Sequence, residues 1–115
     1  MTVENAFKTL GNTVAITAAS TAPDGVQASA SSTGKAAFAG QYRIINAGTV
    51  TVHLGVGDSA ASAKAAAADA TSGNPAAGIP LLPGTVEIFS FNVDSYFSGL
   101  AASNTTIYIT PGAGL

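Results

Sequence analysis

Apolar and polar residues alternate most regularly over residues 49–56, where Val50, Val52, Leu54 and Val56 interleave with Thr49, Thr51, His53 and Gly55. A period of two carried by β-branched residues predicts a strand with one buried and one wet face. Residues 41–45 form a second such run. The intervening Asn46-Ala47-Gly48 offers a glycine where a short loop needs positive φ, so the two runs are expected to pair as a hairpin. Residues 85–91 and 105–109 are again rich in Val, Ile, Phe, Tyr and Thr, with 96–100 as a strand between them. Pro83-Gly84 and Ser103-Asn104 supply the breaks. Weaker strands are expected at 13–17 and 26–31, with a reversal at Ala22-Pro23-Asp24-Gly25.

Residues 59–70 break the pattern, because their alanines favour a helix and Asp58 or Ser59 stands ready as its cap. No large apolar residue is present there to dock a face, so a short helix and an ordered loop are both open readings. Asn74-Pro75 and Ile79-Pro80-Leu81-Leu82-Pro83-Gly84 then lead into the next strand. Roughly six to eight short strands separated by turn residues predict an all-β fold: a small β-sandwich or barrel of jelly-roll type, with one short Ala-rich helix.

The chain has 115 residues and is expected to form one domain, 1–115. Apolar residues make up 47% but aromatic ones only 7%, so alanine inflates the total and the core is expected to be thin. A thin core gains from burying surface against neighbours, which suggests an assembly. Charged residues are 9%, against a usual fraction of about 25%. Lys8, Lys35, Arg43 and Lys64 are scattered and outnumbered by acids, which gives no footprint for nucleic acid. Cysteine is absent, so disulfides and thiolate metal sites are excluded. The first ten residues carry Glu4 and Lys8 without an apolar run, so no signal peptide is expected. The stretch 59–70 is interrupted by Lys64 and Asp69, and no membrane partner is expected.

Gly55-Val56-Gly57-Asp58-Ser59-Ala60 fits the G-x-G-x-x-G/A pattern of a pyrophosphate loop, but that loop needs a βαβ unit and the neighbouring strands read as antiparallel. A glycine-rich strand exit is the better reading. His53 is the single histidine, lies on the expected wet face and has no G-x-S-x-G partner, so it reads as a polar strand residue. Asp58, Asp69, Glu87 and Asp94 are the carboxylates from which a hydrolytic pair would have to come. Glu87 alternates with Val86 and Ile88 and is expected on the solvent side, while Asp94 suits a turn. The scattered acids form no calcium loop. Tyr42, Tyr96, Phe97 and Tyr108 are the residues from which a sugar-stacking platform would be built, although packing is the commoner use of aromatics. Asn104-Thr105-Thr106 is a formal glycosylation sequon to which no role is assigned. No catalytic residue, cofactor or metal site is expected, and the protein is expected not to be an enzyme.

Gln41-Tyr42-Arg43-Ile44-Ile45-Asn46-Ala47-Gly48-Thr49, Gly55-Val56-Gly57, Leu82-Pro83-Gly84-Thr85, Tyr96-Phe97-Ser98 and the run Ile107-Tyr108-Ile109-Thr110-Pro111-Gly112-Ala113-Gly114-Leu115 together resemble the small β-sandwich decoration, or cement, proteins of tailed bacteriophages. The resemblance covers about the last two thirds of the chain and rests on turn and strand residues. It implies a virion protein made in the host bacterial cytoplasm, present in many copies on the outer capsid surface. There it would bind the major capsid protein, associate with itself as a homodimer or homotrimer, and oppose the pressure of packaged DNA. No catalytic residues carry over. The first third matches less well, and residues 1–32 are a candidate extended arm that orders on the capsid. The alternative is a carbohydrate- or receptor-binding β-sandwich module of a phage fibre or tail.

Overall fold

The computed structural model describes residues 7–114. In chain order the elements are β1 (Lys8–Thr9), β2 (Val14–Ala18), β3 (Val26–Gln27), β4 (Gln41–Asn46), β5 (Val52–Gly57), α1 (Ala60–Ala66), β6 (Ile79–Leu81), β7 (Val86–Ser90), β8 (Tyr96–Ala101) and β9 (Thr105–Ala113). They build two antiparallel sheets. In the first, β9 pairs with β1 and β2 on one side and β4 on the other, and β7 completes the far edge. The second runs β3-β8-β5-β6. The expected all-β sandwich with one short helix is the fold observed.

Its core lies where the inner faces meet. Tyr42 and Ile44 from β4 and Ile107 and Ile109 from β9 pack against Val52 and Leu54 from β5 and Phe97 from β8, all fully buried. Aromatic rings concentrate at one end, with Tyr42 4.9 Å from Phe97 and 5.3 Å from Phe38, both edge-on. Elsewhere the filler is small: Ala18, Ala28 and Ala101 occupy core positions, as a composition heavy in alanine demands.

The hairpin expected from β4 and β5 does not form. β4 pairs with β7 and β9 in the first sheet, whereas β5 pairs with β6 and β8 in the second. The connection therefore crosses from sheet to sheet, and Asn46 holds the crossing. Its fully buried side chain donates through Nδ2 to the carbonyls of Val50 (2.9 Å) and Leu81 (2.8 Å), and its Oδ1 accepts from the Gly48 N–H (3.0 Å). A residue chosen by turn propensity thus works as an internal clamp.

Residues 59–70 resolve as a helix shorter than the whole stretch. Ser59 caps it through a reciprocal capping box with Ser62, and it ends at Ala67. It lies against the outer face of β5 and β8, so the side of β5 expected to be wet is partly covered. This approach depends on Gly55, where a Cβ would lie 2.8 Å from Ala67 Cα and closer still to the Ala63 carbonyl. The missing large residue on α1 is answered by a missing side chain on the strand, and backbone packs on backbone.

Residues 7–32, expected as part of an arm, lie along the sandwich. β2 pairs with β9 over its whole length, Ile16, Ala18 and Ala28 enter the core, and Ala19 accepts from the Ala101 N–H in the second sheet. The first six residues of the expected arm fall outside the described residues.

Candidate functional site

Two places gather residues singled out from sequence, and a third is built mainly from residues that were not. The first is beside β5, where His53 Nε2 lies 3.4 Å from Asp69 Oδ1, with side chains 20% and 54% exposed. Ser20 and Thr51 line the same shallow cleft, but His53 makes no hydrogen bond to a serine among the described contacts. The pair ties the segment after α1 to the strand. It does not have the relay of nucleophile, base and orienting acid that acyl transfer uses.

The second is the cleft between the start of α1 and the β7–β8 turn, lined by Asp58, Ser62, Asn92, Val93 and Asp94. Asp58 accepts from Ser62 Oγ (3.2 Å), and Asp94 sits in the left-handed region at φ 58°, which a turn aspartate tolerates. That turn is held from below. The Tyr42 hydroxyl donates to the Asn92 carbonyl (2.8 Å) and accepts from the Ser95 N–H (3.3 Å), while Ser95 Oγ donates to the same carbonyl (2.6 Å). Burial pushes the Tyr42 phenol above its ordinary value, against the opposing pull of its bonds with Ser95. Asp58 and Asp94 thus share a cleft, whereas Asp69 and Glu87 lie elsewhere. Among the described residues no group of three or more His, Asp or Glu side chains is placed to hold a metal ion.

The glycine-rich loop is accounted for by packing. Gly55 and Gly57 admit the backbone of α1, the adjoining strands are antiparallel, and the amide nitrogens of Ser59 and Ser62 are engaged in the helix's own capping box. The aromatic quartet is dispersed. Tyr42 and Phe97 are core residues, Tyr96 is half-buried on the second sheet, and Tyr108 alone stands well exposed, on the first. The stacking platform considered from sequence is therefore not assembled.

The third place was not foreseen. On the outer face of the first sheet, Ile45 has Val86 as its neighbour on β7 and Tyr108 on β9, with Ala15 beyond on β2. Val86 is 51% and Tyr108 39% exposed, so this apolar row is open, and Leu82 stands exposed at 64% in the connection that enters β7. Arg43, in the next row beside Ile88, is the one cation on the described part of this face. The second sheet has α1 on its outer face; among the described residues no helix covers the first.

Glu87 corrects the reading of its own strand. Its partner across the ladder is Ile44, a core residue, so Glu87 shares the inward side and stays exposed because β7 is at the rim. Val86 and Ile88 are the outward residues. Residues 85–91 do not settle this on their own, since Val86 and Ile88 are apolar on one parity and Phe89 and Phe91 on the other.

No helix among the described residues is long and apolar enough to cross a membrane. Compared with protein-family models, with curated proteins and with solved structures, the chain matches none.

Proposed function

We propose that this chain is a non-enzymatic structural protein that docks by its open sheet face onto the outer surface of a phage capsid shell and stabilises it. The observation that carries the proposal is the uncovered row Val86, Ile45 and Tyr108 on the first sheet, in a protein whose surface charge is sparse. An open sheet face with aromatic and branched residues in one row suits burial against another protein. The resemblance of the strand and turn segments to cement proteins supports the major capsid protein as that partner. On a shell the same contact recurs by symmetry, so modest affinity per copy becomes durable reinforcement.

The test is to mix the purified chain with capsids that lack it, measure stoichiometric co-sedimentation, and follow the temperature at which particles rupture. Saturable binding that raises the rupture temperature, with both effects weakened by Tyr108→Asp, is the expected result. Absence of binding under mild conditions, or binding indifferent to Tyr108→Asp, overturns the proposal.

A further inference from the structure

The outermost strands of the two sheets, β1, β2, β3, β6 and β7, differ in how well they are guarded against pairing with another chain, and β1 is only Lys8 and Thr9. β6 has Pro80 at its centre and lacks that N–H; β3 is only Val26 and Gln27. β2 is bracketed by bridges that leave its sheet, Gly11 with Ala30 on one side and Ala19 with Leu100 on the other. β7 has none of these guards. It is five residues long, Val86-Glu87-Ile88-Phe89-Ser90, without proline or lysine.

Its hydrogen-bonding phase is set by its neighbour. The Phe91 N–H donates to the Gly40 carbonyl (2.7 Å) and the Asn46 N–H to the Thr85 carbonyl (3.0 Å). The ladder register places Glu87 and Phe89 in the same phase as these residues. Residues of an antiparallel strand alternate in the direction of their backbone groups, so Val86, Ile88 and Ser90 direct their N–H and C=O groups away from β4.

We infer that two copies of this chain join edge to edge through β7, antiparallel about a two-fold axis at Ile88, into one sheet that runs through both sandwiches. In this register Ile88 faces its own copy and Val86 faces Ser90, so every outward backbone donor and acceptor on the strand is matched. The neighbouring registers are worse. Centring on Phe89 leaves Val86 without a partner. Centring on Glu87 leaves Ser90 without one and also sets two carboxylates directly opposite each other, an arrangement that destabilises a strand pair. Glu87, exposed at the rim, thereby selects the register: with Ile88 on the axis it lies across from Phe89 instead. The joined outer faces bring the two rows Val86, Ile45 and Tyr108 onto one surface.

The experiment uses the isolated full chain, independently of any capsid. Sedimentation equilibrium is expected to show the mass rising with concentration from the 11.2 kDa monomer towards the dimer and no further. The chain has no cysteine, so single introduced thiols report cleanly. Ile88→Cys places its thiols on strands whose facing Cα atoms are about 5.5 Å apart, within disulfide range. Ser90→Cys, exposed on the same face of the same strand, is separated from its copy by about 13 Å along the strand. Mild oxidation should cross-link the first and not the second. Ile88→Glu, which the neighbouring Arg43 accommodates in the monomer, should abolish the dimer while leaving the melting transition of the dilute chain in place. A chain that stays monomeric to about 1 mM, a trimer, or cross-linking of Ser90→Cys as fast as Ile88→Cys overturns the inference. If Ile88→Glu fails to fold, the cysteine pair decides. Tyr108→Asp lies off this edge, so loss of capsid binding and loss of pairing are separate results.

Discussion

Replacing Asn46 by aspartate keeps the shape of the clamp between the sheets and reverses its chemistry at one atom. Nδ2 donates to both the Val50 and Leu81 carbonyls, and the site is fully buried. A carboxylate there would turn an acceptor towards two acceptors, so the group is expected to bind a proton on folding. Holding it protonated costs about 1.4 kcal/mol per pH unit above the unfolded value near 3.9, or about 4 kcal/mol at pH 7 if its folded value lies beyond that. The protonated acid has a single O–H for two carbonyls, and the one left over costs about 1 to 3 kcal/mol at every pH. The sign follows from the raised folded pKa: below the unfolded value only the smaller cost applies, and the larger grows as pH rises towards the folded value. Against a typical domain stability of about 5 to 15 kcal/mol, Asn46→Asp should be folded near pH 4 and close to its limit near pH 7. Urea denaturation of parent and variant at both pH values measures the difference. An equal deficit at the two, or one below about 1 kcal/mol near neutrality, would refute the assignment of Asn46 as a buried donor to two carbonyls.

Gly55→Ala should destabilise by about 1 to 3 kcal/mol through collision with the α1 backbone, read as a lowered melting temperature; an unchanged melt would refute the close packing of α1 on β5. The Tyr42 phenol, raised by burial, contributes stability that is intact below the unfolded value of about 10 and is lost as pH climbs through the folded value. Tyr42→Phe should remove that alkaline component while costing about 1 to 2 kcal/mol at neutral pH from its bonds to Asn92 and Ser95. His53→Ala breaks a partly exposed pair and should cost less than about 1 kcal/mol, so a larger loss in denaturation would expose a role beyond tethering Asp69.

Strand character was legible where side chains alternate against the core. The runs at 41–45, 96–100 and 105–109 fall within β4, β8 and β9, and 13–17 lies within one residue of β2. Pairing was not legible. Asn46-Ala47-Gly48 has the chemistry of a tight reversal, and nothing local says whether the next strand returns beside β4 or departs for the other sheet. That choice is made by β9, whose backbone takes the place beside β4 that β5 would have filled. Residues 26–31 shrink to a two-residue strand because only Val26 and Gln27 lie alongside β8. The open face was hidden for a related reason: in residues 85–91 both parities are apolar, so only the register with β4 decides that Val86 and Ile88 point outward.

The position of β9 also fixes an order of events in the cell. It is the strand to which β1, β2 and β4 all attach, and it is made after every one of them. Until residues 105–113 clear the ribosome, β2 has no ladder to join, and Ile16 and Ile44 lack the neighbours that bury them. Completion of the first sheet therefore waits until β9 has been made, and until then the nascent chain carries exposed apolar strands. Ribosome-bound chains halted before Thr105 should be cut readily by protease, and those extended beyond the exit tunnel should become resistant in one step.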